Sequence, residues 1–357
     1  MKNKLLVSVG VGFAALLSSV NGWASDQGQV CVSTAGGAWQ DAMRQAIFKP
    51  FEKATGIKVV EAVQQPLSKV RAMVATGNPE CDVLELVAPD FLQLSKEGLL
   101  AKIDYDSIDK KIIADFPGSA VTPYGVGTFV YATVIAFNTH HYTRANGPKS
   151  WVDVWDVKKF PGPRIVHAGN FVVAPIEAAL LADGVQPNNL YPVDFKRAYS
   201  SLTRIKSNVV KWSTTGAMAP EALISGEAFI GTAALGRIQQ AKEQGAPVDF
   251  VWDQALFING YWGIVKGAKN YKNALKFIEF ASQPKSQADF VKLQIAGPLN
   301  KHAFDFVSQD RAKLLPTYPA NMAQAINSNS WWWAETDASG KSNLDKNNAM
   351  WSAWILQ

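Results

Sequence analysis

This chain is poor in the residues that usually announce chemistry. Its 357 residues include two cysteines and four histidines. No H-E-x-x-H pair, no G-x-S-x-G elbow and no phosphate-cradling loop with its lysine occurs. That removes the commonest signatures of metallopeptidases, serine hydrolases and nucleotide-binding folds. His140 and His141 are sequential and point apart on an extended strand, so no metal site is expected. Charge of one sign is lacking too: 35 Lys and Arg stand against 30 Asp and Glu, a formal +5 with no basic stripe. Nucleic acid is therefore not an expected partner. Beyond residue 24 no run approaches the roughly 20 apolar residues that a membrane helix needs.

What is present begins with an export signal. Lys2 and Lys4 precede the apolar stretch Leu5 to Leu17, and Gly22-Trp23-Ala24 offers small residues for a cleavage site. Cleavage after Ala24 and release into the periplasm are expected, with no lipid anchor because no cysteine sits next to the site. The remaining chain is longer than one core serves well, so two domains are expected. In an oxidising compartment Cys31 and Cys81, each near the start of a strand, either pair as a disulfide or stay as buried thiols.

Strand and helix signals alternate. Gln29 to Thr34 reads as a buried strand, followed by the turn Gly36-Gly37 and a helix whose apolar face is Trp39, Met43, Ile47 and Phe51. Asp82 to Leu86 reads as a second buried strand, and Thr128 to Asn138 as an extended run long enough to pass between domains. The middle of the chain predicts an amphipathic helix over Trp151 to Phe160, a strand at Arg164 to His167, and helices at Pro175 to Ala182, Phe195 to Ile205, Pro220 to Ser225 and Arg237 to Gln244. Asp249 to Trp252 and Gly260 to Val265 read as two further strands. Such alternation implies an α/β protein with crossover helices.

A series of short segments recurs in a familiar order: Pro50-Phe-Glu-Lys-Ala-Thr-Gly-Ile-Lys-Val59, Cys81-Asp-Val, Lys96-Glu-Gly-Leu-Leu, Pro123-Tyr124-Gly125, Ala136-Phe-Asn138, Trp151-x-Asp153-x-Trp155, Phe160-Pro-Gly162, Ser225-Gly-Glu227 and Ala274-Leu-Lys-Phe-Ile278. Together they resemble the solute-binding proteins of ABC importers, in particular the spermidine/putrescine-binding group. The resemblance implies a type II periplasmic binding protein with two lobes, each a mainly parallel sheet flanked by helices, joined by crossing strands. Lobe 1 would comprise 25–135 and 261–305, and lobe 2 would comprise 136–260 and 306–357. It further implies a small-molecule solute, membrane permease subunits as partners, a monomer, no cofactor and no catalysis.

The site is expected in the cleft between the lobes. A glycine turn opening a helix presents unpaired N–H groups, so Thr34, Gly36, Gly37 and Trp39 are candidate ligand contacts in lobe 1. Thr215 precedes a helix start in lobe 2, and Arg237 lies at a strand-to-helix switch where a guanidinium can clamp a carboxylate. Glu85, Tyr261, Trp262 and Trp332 complete the candidate set. The polyamine binders that this chain resembles hold ammonium groups with acids, yet Ala168 to Ala174 contains none. A small organic acid or zwitterion is therefore the expected cargo, with a polyamine or other organic cation as the alternative. A secreted hydrolase or isomerase using Glu85 and His167 is the reading from another class. A sensor presenting ligand to a membrane receptor is a third.

Overall fold

The computed structural model describes residues 28–357; the export signal and its cleavage site lie outside the described residues. Eleven strands are described: β1 (Gln29–Thr34), β2 (Lys58–Val63), β3 (Val83–Val87), β4 (Val121–Thr122), β5 (Gly125–Asn138), β6 (Arg164–His167), β7 (Val209–Ser213), β8 (Ile230–Ala234), β9 (Val248–Ile264), β10 (Gly297–Pro298) and β11 (Ile326–Asn327). They form one sheet in the order β2-β1-β3-β9-β5-β8-β6-β7, with β4 and β10 on β5 and β11 on β9. β1 runs parallel to β2 and β3, and β6 runs parallel to β7 and β8. Between these two parallel groups lies the antiparallel pair β5/β9, running from Gly125 opposite Gly263 to Asn138 opposite Val248 with two shifts of register on the way. The expected α/β architecture with crossing strands is present.

One strand is longer than the sequence implies. Asp249 to Trp252 and Gly260 to Val265 are not separate; the first and all but the last residue of the second belong to the 17-residue β9. The polar break between them is a bulge at Gln254, whose φ is 59°. Between the pairs Thr133–Leu256 and Ile135–Val251, β5 advances two residues and β9 five, so three extra residues of β9 are taken up before the ladder resumes. The bulge is held from outside: Gln254 Oε1 and its backbone carbonyl accept the Trp151 amide and indole N–H, each at 3.0 Å. A helix expected over Trp151 to Phe160 ends at Trp155 instead. The cause is Arg164, fully buried, whose guanidinium donates to the carbonyls of Val154, Phe160 and Gly162 and folds that loop around itself.

The four-residue spacing of Met43, Ile47 and Phe51 also has a structural consequence. An α-helix turns every 3.6 residues, so a strict repeat of four drifts off its face. Here a wider π-helical segment, Arg44–Phe48, separates α-helical Gly37–Met43 from Lys49–Thr55, and all three side chains stay buried. On that face of the sheet the core is continuous through both parallel groups, running from Phe48 and Phe51 to Leu223 and Ile238. On the opposite face it is divided. Val70, Phe91 and Leu94 pack near β3, whereas Trp151, Ile176, Leu180, Trp333, Trp351 and Trp354 pack near β6. Most of the C-terminal tryptophans are thus core.

Close strand packing in the second group requires a glycine. Gly231 on β8 pairs with Ile165 on β6, and a Cβ there would collide with the Ile165 carbonyl. Gly231→Ala is expected to cost about 2 kcal/mol of stability through overpacking. Urea denaturation checks it, and an unshifted midpoint would show that the strands separate freely.

Candidate functional site

The sheet register brings the ends of both parallel groups together. Val87, the last residue of β3, lies opposite Gly260 of β9. Ala234, the last residue of β8, lies opposite Thr133 of β5, which in turn faces Leu256 of β9. Referred to β9, directly for β3 and through β5 for β8, the carboxyl ends of the two groups fall four residues apart, roughly 13 Å at the usual rise per residue. In open α/β sheets, ligands bind in the crevice outside such strand ends.

On the β1 side, Thr34 is fully buried and its hydroxyl donates to Gln40 Oε1 at 3.5 Å. Gly36, with φ 76°, starts the helix Gly37–Met43, and Gly37 has φ 55°. Trp39 leans into the protein. Its ring packs on Phe290 and Tyr131, with centroids 4.6 and 5.3 Å away, and its indole N–H donates to Glu85 Oε2 at 2.8 Å. The Tyr131 hydroxyl donates to the other oxygen of Glu85 at 2.7 Å. Glu85 is only 5% exposed, and desolvation raises its pKa to about 7 despite both donors.

On the β8 side, Thr215 is exposed and its carbonyl accepts the Ser213 hydroxyl at 2.7 Å. Arg237 lies in the first turn of the helix Leu235–Glu243, with Nε 2.8 Å from where a Gly216 Cβ would stand. Its side chain is exposed and makes no ion pair among the described residues. Two contacts place the groups relative to each other. Gly236 packs against the Ile295 carbonyl, and Gln294 donates to the Ala38 carbonyl at 3.1 Å. Arg237 and the Gly36-Gly37 turn thus flank the same short segment, Gln294-Ile295.

Where the core divides there is a cavity of about 180 Å³. Val87 and Asp90 line one wall, Asn170, Phe171 and Glu177 the other, and Thr133 with Leu256 to Ile258 the floor. A wider hollow of about 570 Å³ adjoins it, sharing Phe257 and Ser328, and is bordered by Asn259, Tyr261 and Trp331.

A family model described as bacterial extracellular solute-binding protein matches residues 46–338. The chain belongs to that family. The gamma-aminobutyric acid-binding protein of Pseudomonas aeruginosa is 36% identical over 308 residues, covering 84% of this chain and 86% of the other. The spermidine/putrescine-binding periplasmic protein of Escherichia coli is 26% identical over 260 residues, covering 69% and 71%. The crystal structure of an ABC transporter substrate-binding protein from Bradyrhizobium japonicum superposes with a TM-score of 0.85 at 33% identity, over 92% of this chain and 99% of that one.

For a solute-binding protein of this family, two expected contacts need correction. Trp262 is a core residue: it is 1% exposed and its ring meets Phe277 edge-on at 5.4 Å. Strand alternation sends its neighbour Tyr261 to the other face, where it stacks on Phe91 at 4.4 Å and borders the wider hollow. Trp332 packs on Tyr191 and Phe195 rather than lining either hollow. The residue that does is Trp331, 53% exposed, because successive helical positions turn by about 100° and Trp333 takes the core. The acid–base pair of the hydrolase reading is not formed. His167 Nδ1 faces Ser213 Oγ at 3.3 Å, and burial pushes its pKa down to about 4, while Glu85 is bonded to Trp39 and Tyr131.

Sequence reasoning missed Asp90, Glu177 and Asn348, all of which line the cavity. Glu177 did leave a signal. It is the only charged residue of the helix Ala174–Ala182, whose sequence is otherwise Ala-Pro-Ile and Ala-Ala-Leu-Leu-Ala. An acid in a helix buried all round has to answer to something inside.

Proposed function

We propose that this chain is the periplasmic solute-binding component of an ABC importer, and that its cargo is a small amino-acid-like zwitterion. Arg237 carries the reading: it is an exposed guanidinium at a strand-to-helix switch, outside the lining of both hollows and without a carboxylate partner among the described residues. A planar fork of that kind clamps a carboxylate with two parallel hydrogen bonds. The Gly36 and Gly37 amides, with Thr34, Trp39 and Thr215 nearby, would receive the same acidic group from the opposite wall. The relative that binds gamma-aminobutyric acid supports a solute bearing both an acid and an amine.

The lobes are taken as 25–135 with 261–305, and 136–260 with 306–357. They hinge where β5 and β9 cross, and closure delivers unchanged solute to the permease. Part of the last segment is tied to the first lobe, since Arg311 donates to the Val291 carbonyl and Thr317 to the Pro298 carbonyl.

Native mass spectrometry of protein taken from the periplasm identifies the cargo. Release of an acidic or zwitterionic compound supports the reading, whereas a diamine or triamine supports the polyamine alternative. For the released zwitterion, Arg237→Ala is expected to weaken binding roughly 10- to 100-fold by titration calorimetry. Unchanged affinity would remove Arg237 from the site.

A further inference from the structure

We infer that the 180 Å³ cavity at the divided core is an ammonium pocket, in which Glu177, Asp90 and Asn348 receive the amine of the bound solute. This deepens the zwitterion reading and rests on the inter-lobe cleft being the binding site.

Glu177 is 1% exposed. Its Oε1 is crowded with donors: the hydroxyls of Tyr191 and Ser328 and the Trp333 indole N–H all point at that one atom. Its Oε2 is buried and has no hydrogen-bond partner. Three donors on one oxygen favour the carboxylate, whose oxygen carries more negative charge than the carbonyl of a neutral acid, and they work against the desolvation that raises its pKa. A buried carboxylate with one bare oxygen needs a cation, and no Lys or Arg lines the cavity.

A second acceptor lacks a partner in the same wall: Asn348 Oδ1 is also buried and unbonded. The Asp90 carboxyl faces the cavity from the opposite lobe; it feels the charge of Arg71 but has no hydrogen bond among the described residues. Burial raises the pKa of Asp90 to about 6 and that of Glu177 above its ordinary value. A donor-only, positively charged head satisfies all three acceptors at once. An alkylammonium group has three N–H donors and no acceptor, and Phe171 and Phe257 offer ring surface for the carbons behind it. The pocket draws on both lobes, so occupancy also holds them closed.

Thermal shift and calorimetry on the full mature protein test this with butylammonium chloride, 4-aminobutyrate, sodium butyrate and potassium chloride at matched ionic strength. Butylammonium and 4-aminobutyrate are expected to raise the melting temperature, and potassium chloride is not. Glu177→Gln and Asp90→Asn are each expected to weaken butylammonium binding roughly tenfold or more. Because Glu177 also anchors Tyr191 and Trp333, Asn348→Ala serves as the variant that breaks no hydrogen bond of the asparagine side chain, and it should weaken the same probe. The pocket is overturned if neither amine binds, if potassium matches butylammonium, or if butylammonium binding survives all three substitutions. Arg237→Ala separates the two readings. Butylammonium binding that is indifferent to Arg237→Ala supports the pocket whatever becomes of the carboxylate clamp. Butyrate binding that depends on Arg237, with no response to either amine, keeps the clamp and removes the pocket.

Discussion

Replacing both Cys31 and Cys81 by alanine is expected to remove about 4 kcal/mol from the unfolding free energy. The structure joins these residues in a disulfide across a sequence separation of 50. The bond therefore closes a long loop in the unfolded chain and withholds much of its freedom. The folded geometry has independent support at the same place. The Asp82 carboxylate accepts the Cys31 amide at 2.8 Å, and the Asn270 backbone and side-chain N–H groups at 3.0 Å each. These bonds keep β1 and β3 aligned after the sulfurs are gone, so the loss is expressed through the unfolded state. Urea denaturation of oxidised wild type, reduced wild type and the double variant checks this. The last two should coincide at a lower midpoint, and coincidence of all three would show that the link constrains nothing. Solute affinity at low denaturant should stay unchanged, because the β1–β2 register carries the Thr34 end of the strand without the disulfide.

The same part of the molecule shows what a sequence can and cannot disclose. Strands β1, β3 and β6 were legible as short apolar runs bounded by turns, and the parallel arrangement then places the cleft at their carboxyl ends. Residues on the strand-to-helix turns, such as the Gly36-Gly37 pair and Arg237, could therefore be nominated from local pattern alone. The pairing of Cys31 with Cys81 could not, because strand adjacency shows that two thiols come close and leaves open whether they join. Nor was β9 legible as one strand, since Asp253-Gln254 looks like a break until Trp151, over a hundred residues earlier, is seen to hold the bulge.

Residues that reach the cavity from helices were hidden for a different reason. Glu177 and Asn348 come from helices separated by much of the chain, and only tertiary packing decides which helical face meets the cavity. Glu177 stands out as a lone acid in an apolar helix, yet that signal says an acid is buried and not what it faces. Asn348 has no such signal: it follows Asn347, whose side chain is used structurally to hold the Gly169 carbonyl at 2.7 Å. Trp331, Trp332 and Trp333 pose the same difficulty in miniature, since three identical neighbours differ only in rotation about one helical turn.

Glu85→Gln is expected to gain on the wild type in stability as pH rises from 5 to 8, by about 2.5 kcal/mol over that span. In the folded protein the Glu85 pKa is raised from 4.5 to about 7 by burial. The folded state thus binds more protons than the unfolded chain between those values. The associated stability is fully present below pH 4.5 and is lost as pH climbs through 7. Glutamine copies the protonated acid: its carbonyl accepts the Trp39 indole N–H, and its amide donates toward the Tyr131 oxygen, replacing the bonds at 2.8 and 2.7 Å. It never ionises, so this component of the slope disappears. Asp90 and Glu177, also raised by burial, act in the same direction in both proteins and cancel in the difference. His167 acts in the opposite sense. Its pKa is lowered from 6.5 to about 4, so its contribution is present above pH 6.5 and fades as pH falls. That residue too is common to both proteins, which leaves the gap between the two denaturation curves as a reading of Glu85 alone. A gap that does not change with pH would show that Glu85 is ionised in the folded protein throughout, with its charge met by a partner other than Trp39 and Tyr131.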